Sequence, residues 1–247
     1  MPDPPIPRPS VPRPSVPQPS VPQPSVPRPA RLVISNRSAN VRVTAEPGAG
    51  LAVVGGDVEL GDDGTSTITS RSTAITVRCA PGCDVVIGTL SGSVSTTGPL
   101  GNVSVATASG RVEVEEAAAL DVRTNSGRVV VGTCHGPVRC NVGSGRVEVA
   151  SAESIDVSVT SGRVEVADTG DARVHTTSGR VVVAARAASN VHVRSTSGRV
   201  EVSLPDGCCP ALHLATSSGK VRSDVPAGDD GTVDAATVSG SVRVRWR

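Results

Sequence analysis

The chain has 247 residues, a formal net charge of +1, no Phe, no Tyr and a single Trp, Trp246. Aromatic rings normally supply much of a globular core's buried area, so Val must supply it here, and β-branched Val suits pleated sheet better than helix. The near-balanced charge argues against bulk attraction to nucleic acid or an anionic membrane, and no apolar run is long enough to span a bilayer as a helix.

The first element is an arm over residues 1–30. Its opening, MPDPPIPRPS, lacks the apolar segment of a secretory signal, which points to the cytoplasm. From Ile6 to Ala30 the chain repeats every five residues as IPRPS, VPRPS, VPQPS, VPQPS and VPRPA. Proline this dense removes backbone donors and fixes φ, so the arm is expected to be disordered, extended polyproline II, about 3.1 Å per residue. It reads as a stiff spacer, or as a ligand for a proline-recognising groove with Arg8, Arg13 and Arg28 adding charge.

From residue 31 onward the sequence repeats itself. Ser-Gly recurs with its glycine at Gly92, Gly110, Gly127, Gly145, Gly162, Gly179, Gly198, Gly219 and Gly240, at intervals of 17 to 21 residues. Degenerate markers fit at Ala39, Gly56 and Thr73, making twelve units. Two residues after the marker every unit places Val or Ile, as at Val112, Val129, Val147 and Val164, and the position four after is mostly Val. Aliphatic residues also recur five and seven residues before it. A period of two is strand periodicity, so each unit holds two short strands flanking a glycine corner. Seventeen or so residues is too short for a strand–helix–strand unit and suits one coil of a β-solenoid. The prediction is an all-β fold: one right-handed parallel β-solenoid of twelve coils stacked in chain order over 31–247. Loops of variable length should gather along one edge.

Tandem TxSGxVxV units ending in TVSGSVRVR resemble the bacterial putative-adhesin domains of unknown function, across about residues 31–247. That resemblance implies a β-solenoid, a binding role and a place at the cell surface, and it assigns no catalytic residue or cofactor. A weaker resemblance is to bactofilins, cytoskeletal solenoids with Pro-rich tails, and implies a self-assembling filament.

Several residue sets could carry chemistry. Immediately after the marker stand Arg111, Arg128, Arg146, Arg163, Arg180, Arg199 and Lys220, an outward ladder that could face an acidic polymer. Glu113, Glu148, Glu165 and Glu201 lie two residues further along and are natural partners for it. His192 and His213 share one outward offset on consecutive units and Asp234 follows on the next, a candidate divalent metal site. Cys79, Cys83, Cys134, Cys208 and Cys209 fall in the loop edge, and Cys140 in an inward column; free thiols are expected. A polysaccharide-acting enzyme would need paired carboxylates, and none stand out. The chain therefore reads as a non-enzymatic binding or scaffold protein without a cofactor, with a protein or polymer partner. Neither end shows a bulky cap, so end-to-end self-association is open, and Trp246 is a candidate plug over the last coil.

Overall fold

The computed structural model describes residues 31–61 and 64–247; the Pro-rich arm lies outside them. The described chain is all-β, with no helix, and among the described residues no helix is long and apolar enough to cross a membrane. Its strands are β1 (Arg31–Asn36), β2 (Val41–Ala45), β3 (Ala52–Val54), β4 (Asp57–Leu60), β5 (Thr65–Ser70), β6 (Ile75–Cys79), β7 (Asp84–Ser91), β8 (Val94–Ala185), β9 (Asn190–Leu204), β10 (Ala211–Ser223) and β11 (Thr232–Trp246). They form one mixed eleven-stranded sheet.

The sequence repeat is the structural repeat. Val112, Val129, Val147 and Val164 are each at most 1% exposed, and like positions of successive repeats pair in parallel, as Val181 does with Val200 and Gly179 with Gly198. Burying each Val fully is worth about 1.5–3 kcal/mol before chain entropy is counted, and one repeat alone has nothing to bury it against. Most repeats also have a third inward position the alternation did not reveal, six to eight residues after the marker. Leu100, Ala117, Cys134, Ala152, Thr169 and Leu204 fill it, all at most 3% exposed. The expected loop edge is thus a third packed side, and this corrects the placement of the cysteines. Cys79, Cys83, Cys134 and Cys208 are buried in it, and Cys140 in the sheet.

The corners are built by two devices. The marker glycine of the central repeats has a positive φ, 147° at Gly162, a region other residues rarely enter. A Cβ on Gly162 would also overlap the carbonyl of Gly145 in the neighbouring layer. The second device is a buried hydroxyl three residues before the marker. Thr107, Thr124 and Thr176 donate to the carbonyls of Ser109, Ser126 and Ser178 at 3.1, 3.1 and 3.4 Å. A tight corner turns carbonyls away from the ladder, and this hydroxyl supplies their missing donor.

The order of layers departs from the chain order at both ends. The first repeat does not lie outermost: β1 pairs with β7 on one side and β5 on the other, and β2 likewise lies between β6 and β8. The last repeat does the same, β11 being seated between β9 and β10. The second repeat is not a parallel layer at all, since β3 and β4 run antiparallel to β6 and β5 and cap that end. Its inward offsets are consequently open, with Leu51 39%, Val58 43% and Leu60 78% exposed. Trp246 is not an end plug either: it pairs with Leu204 within the stack and its Nε1 donates to the Cys208 carbonyl at 3.1 Å. Inserting the first and last repeats gives both of their edges a ladder partner, so neither presents an open edge that could fray.

Two substitutions test this packing. Gly162→Ala is expected to destabilise by about 3 kcal/mol or more, from the left-handed φ together with the backbone overlap, and Val164→Asp to prevent folding by burying an unpaired charge. Urea unfolding followed by far-ultraviolet circular dichroism reads both, and wild-type stability in either variant contradicts the stacked-corner geometry.

Candidate functional site

The outward arginine ladder exists, and it is largely neutralised by its own glutamates. Arg111 meets Glu113 at 3.2 Å, Arg163 meets Glu165 at 2.5 Å and Arg180 meets Glu201 at 2.9 Å. Glu148 bridges two layers, to Arg128 at 2.6 Å and Arg146 at 3.3 Å. Hydrogen bonding from Arg128, ahead of its charge, holds the Glu148 carboxyl below the usual carboxylate range, and Glu148 in turn raises the Arg128 guanidinium. Arg199 lies 4.0 Å from Glu201. Lys220 is not the next step of this ladder, because Ser241 of the inserted last repeat stands between it and Arg199.

The same insertion rearranges the candidate metal residues. Asp234 is placed between His192 and His213, as the register partner of both. The His192 ring Nδ1 lies 3.5 Å from the Asp234 carboxylate, but Arg194 lies closer to it, at 2.7 Å. A guanidinium on the carboxylate competes directly with a cation, and no group of three or more metal-ligating side chains forms among the described residues.

The buried thiols of Cys79 and Cys140 are poor nucleophiles in the folded state. Burial pushes Cys140 up to about 12 and, with the neighbouring Cys83 adding to it, Cys79 to about 12 as well. Thiolate is the reactive form, and none of the six cysteines is in a disulfide.

A groove the periodicity did not reveal runs across the layers. Where the buried Thr turns inward, its two flanking residues turn outward and the chain bends, leaving a concave channel on the outer surface. One stretch encloses about 1530 Å³ and the next about 660 Å³, and Asn141 lines both, joining them end to end. Its walls are mostly small: Ala106, Ala108, Thr160, Thr177 and Thr196 are typical. Arg37 and Arg71 enter at one end with no ion pair among the described residues, whereas Arg123 is held by Asp121 at 3.4 Å. Arg37 belongs to β1's layer and Arg71 to β5's, which are adjacent. The signal for the groove was present in the sequence as the positions two and four before the markers, many of them small (Ala106, Ala108, Ser158, Thr160, Thr177, Thr196) but broken by Arg123, His175 and Arg194, and it was hidden because such a mixture carries no periodicity of hydropathy.

A repeat protein with an all-β stack and a shallow, small-residue channel is the class these features define. A family model described as Toastrack DUF4097 matches residues 21–246, and the chain belongs to that family. Comparison with curated proteins finds no match. Among solved structures the chain is similar to a putative cell adhesion protein from Clostridium sporogenes, at 5% identity, covering 89% of this chain and 94% of that one, with a TM-score of 0.24. At that score the likeness adds nothing to the assignment.

Two measurements check the electrostatics. A carboxyl with a depressed folded-state value stabilises above the unfolded value of about 4.3, and that contribution is lost as pH falls through the folded value. Glu148→Gln should therefore flatten the loss of thermal stability on acidification below about pH 4.3, while leaving neutral-pH structure unchanged. Alkylation of Cys140 by iodoacetamide at pH 8 should proceed only on unfolding; rapid labelling of the native protein would contradict its burial.

Proposed function

We propose that the stack is a parallel β-solenoid and that the protein is a non-enzymatic binding scaffold whose outer groove holds an extended, carboxylate-bearing polymer. The observation that carries this reading is the continuity of the groove across layers. A channel that crosses layer after layer at about 4.8 Å intervals suits a chain lying along the stack better than a compact molecule in one place. Its walls offer hydroxyls and amides for hydrogen bonding, and its one carboxylate among the described lining residues is Asp57. The unpaired Arg37 and Arg71 favour an anionic chain, since guanidinium forks match carboxylates in a bidentate way. The arginine–glutamate ladder on the neighbouring face is less suited, its cations being already committed to their own acids.

Titration with polyglutamate and with polygalacturonate, two sources of the same chemistry, tests the groove. At least one should bind in a salt-sensitive manner. Arg37→Glu/Arg71→Glu should weaken binding at least tenfold, Ala108→Trp should obstruct it, and Arg163→Ala on the ladder should leave it unchanged. Binding lost with Arg163→Ala but retained in the groove variants would move the site to the ladder, and absence of binding to either polymer would overturn the reading.

A further inference from the structure

The outermost layer at the C-terminal end is β10, because β11 separates it from the rest of the stack and no other described strand pairs with its far edge. Its inward side chains continue the core columns yet are uncovered. Leu212 and Leu214 are half-buried and Val221 is 40% exposed, whereas Val233, Ala235 and Val242 directly beneath are at most 1% exposed. The edge carries no proline and no bulge to blunt it.

The direction of its free hydrogen-bonding groups can be read from its ends. The Ala211 amide donates to the Gly231 carbonyl and the Asp224 amide to the Val244 carbonyl, both on the β11 side. Successive strand residues face opposite edges, so Leu212, Leu214, Val221 and Ser223 present their N–H and C=O groups outward. These four positions are symmetric about the corner at Ser217 and Ser218. An antiparallel copy of the same strand, rotated about that corner, sets Leu214 opposite Val221 and Leu212 opposite Ser223. In that register each opposed pair can exchange both hydrogen bonds, about eight in all.

We infer that this edge pairs with the β10 edge of a second copy of the chain, forming a two-fold dimer in which the two stacks continue into one another. The rotation puts uncovered core against uncovered core, Leu214 on Val221. It also handles charge. β10 carries Lys220 and Arg222 and no acid, and the two-fold places the pair on opposite arms of the corner, facing Ala215 and His213 of the other copy rather than each other. The opposite end offers no equivalent, its cap strands β3 and β4 having three and four residues and running antiparallel. Because the two ends differ, association closes at two copies and does not propagate. This inference is independent of the groove.

Sedimentation of the full chain across a concentration series should give a mass twice the 24.8 kDa of the chain. Val221→Lys and Leu214→Lys should each be monomeric with an unchanged circular dichroism spectrum. Register is tested by mixing two single variants: Ala215→Cys with Lys220→Cys should form a covalent heterodimer on mild oxidation, and neither alone should cross-link. A wild type that is monomeric up to about 100 times the concentration at which a micromolar dimer forms, open-ended polymers, a dimer persisting in both lysine variants, or cross-linking of either single cysteine variant alone would each overturn the inference.

Discussion

From Gly92 to Gly240 every layer of this molecule must bring its glycine corner within backbone contact of the corner beside it. Between Gly92 and Gly240 the glycines approach each other so closely that a single methyl group would strike the next carbonyl. That contact sets the layer spacing at the corner, and sheet hydrogen bonding sets the same spacing along the arms. The two agree only if successive repeats lie in register. Once they do, the inward valines stack on one another without further specification, and the core becomes a column of branched aliphatics that needs no ring to fill it. The chain has no Phe and no Tyr, and its buried side chains are mostly Val, with Ile, Leu, Ala and Cys beside them.

What could be read from the residues follows from this constraint. The Ser-Gly corner and the valine columns around it are dictated by backbone clash and by burial, so they leave a strict pattern, and the stack of Val112, Val129 and Val147 was legible directly. The third side was not. Its occupants range from Ala117 to Leu100 and Cys134, because that side absorbs differences in loop length, and a column of changing size and shifting offset has no period. Cys79, Cys83, Cys134 and Cys208 were therefore placed on an edge when they are core, whereas Cys140 was read as inward and is buried, and Cys209 is half-buried. The groove escaped for a related reason, since Ala108 and Thr177 are small for reasons of space and not of hydropathy.

The order of the layers was the larger miss, and only at the C-terminal end was its trace in the spacings. Gly198, Gly219 and Gly240 are separated by 21 residues each, against 17 or 18 in the middle of the chain. The first of these longer connections must climb past one empty layer, and the second must come back down to fill it. At this end the extra residues give the chain the slack to pass over a layer, whereas at the other end the Thr73 to Gly92 connection passes β1's layer with a spacing of 19. The consequences for chemistry are concrete. Insertion of the last repeat puts Ser241 between Arg199 and Lys220, and Asp234 between the two histidines, where Arg194 takes its carboxylate.

That insertion also changes what the ends are. In a stack built in chain order the last repeat would be a free terminus, able to fray as well as to pair. Here the exposed layer is an internal segment, tethered on one side through residues 205–210, with their turn at Pro205–Cys208, and on the other through residues 224–231. The last repeat is clamped beneath it, with Arg247 donating to the Ala185 carbonyl at 2.7 Å. An edge held at both of its ends pays little further entropy when it meets a partner, because its backbone is already fixed. The same tethering that stabilises the chain terminus thus leaves β10 ordered, apolar on its inner side and unsatisfied along its outer edge, which is the combination that strand addition requires.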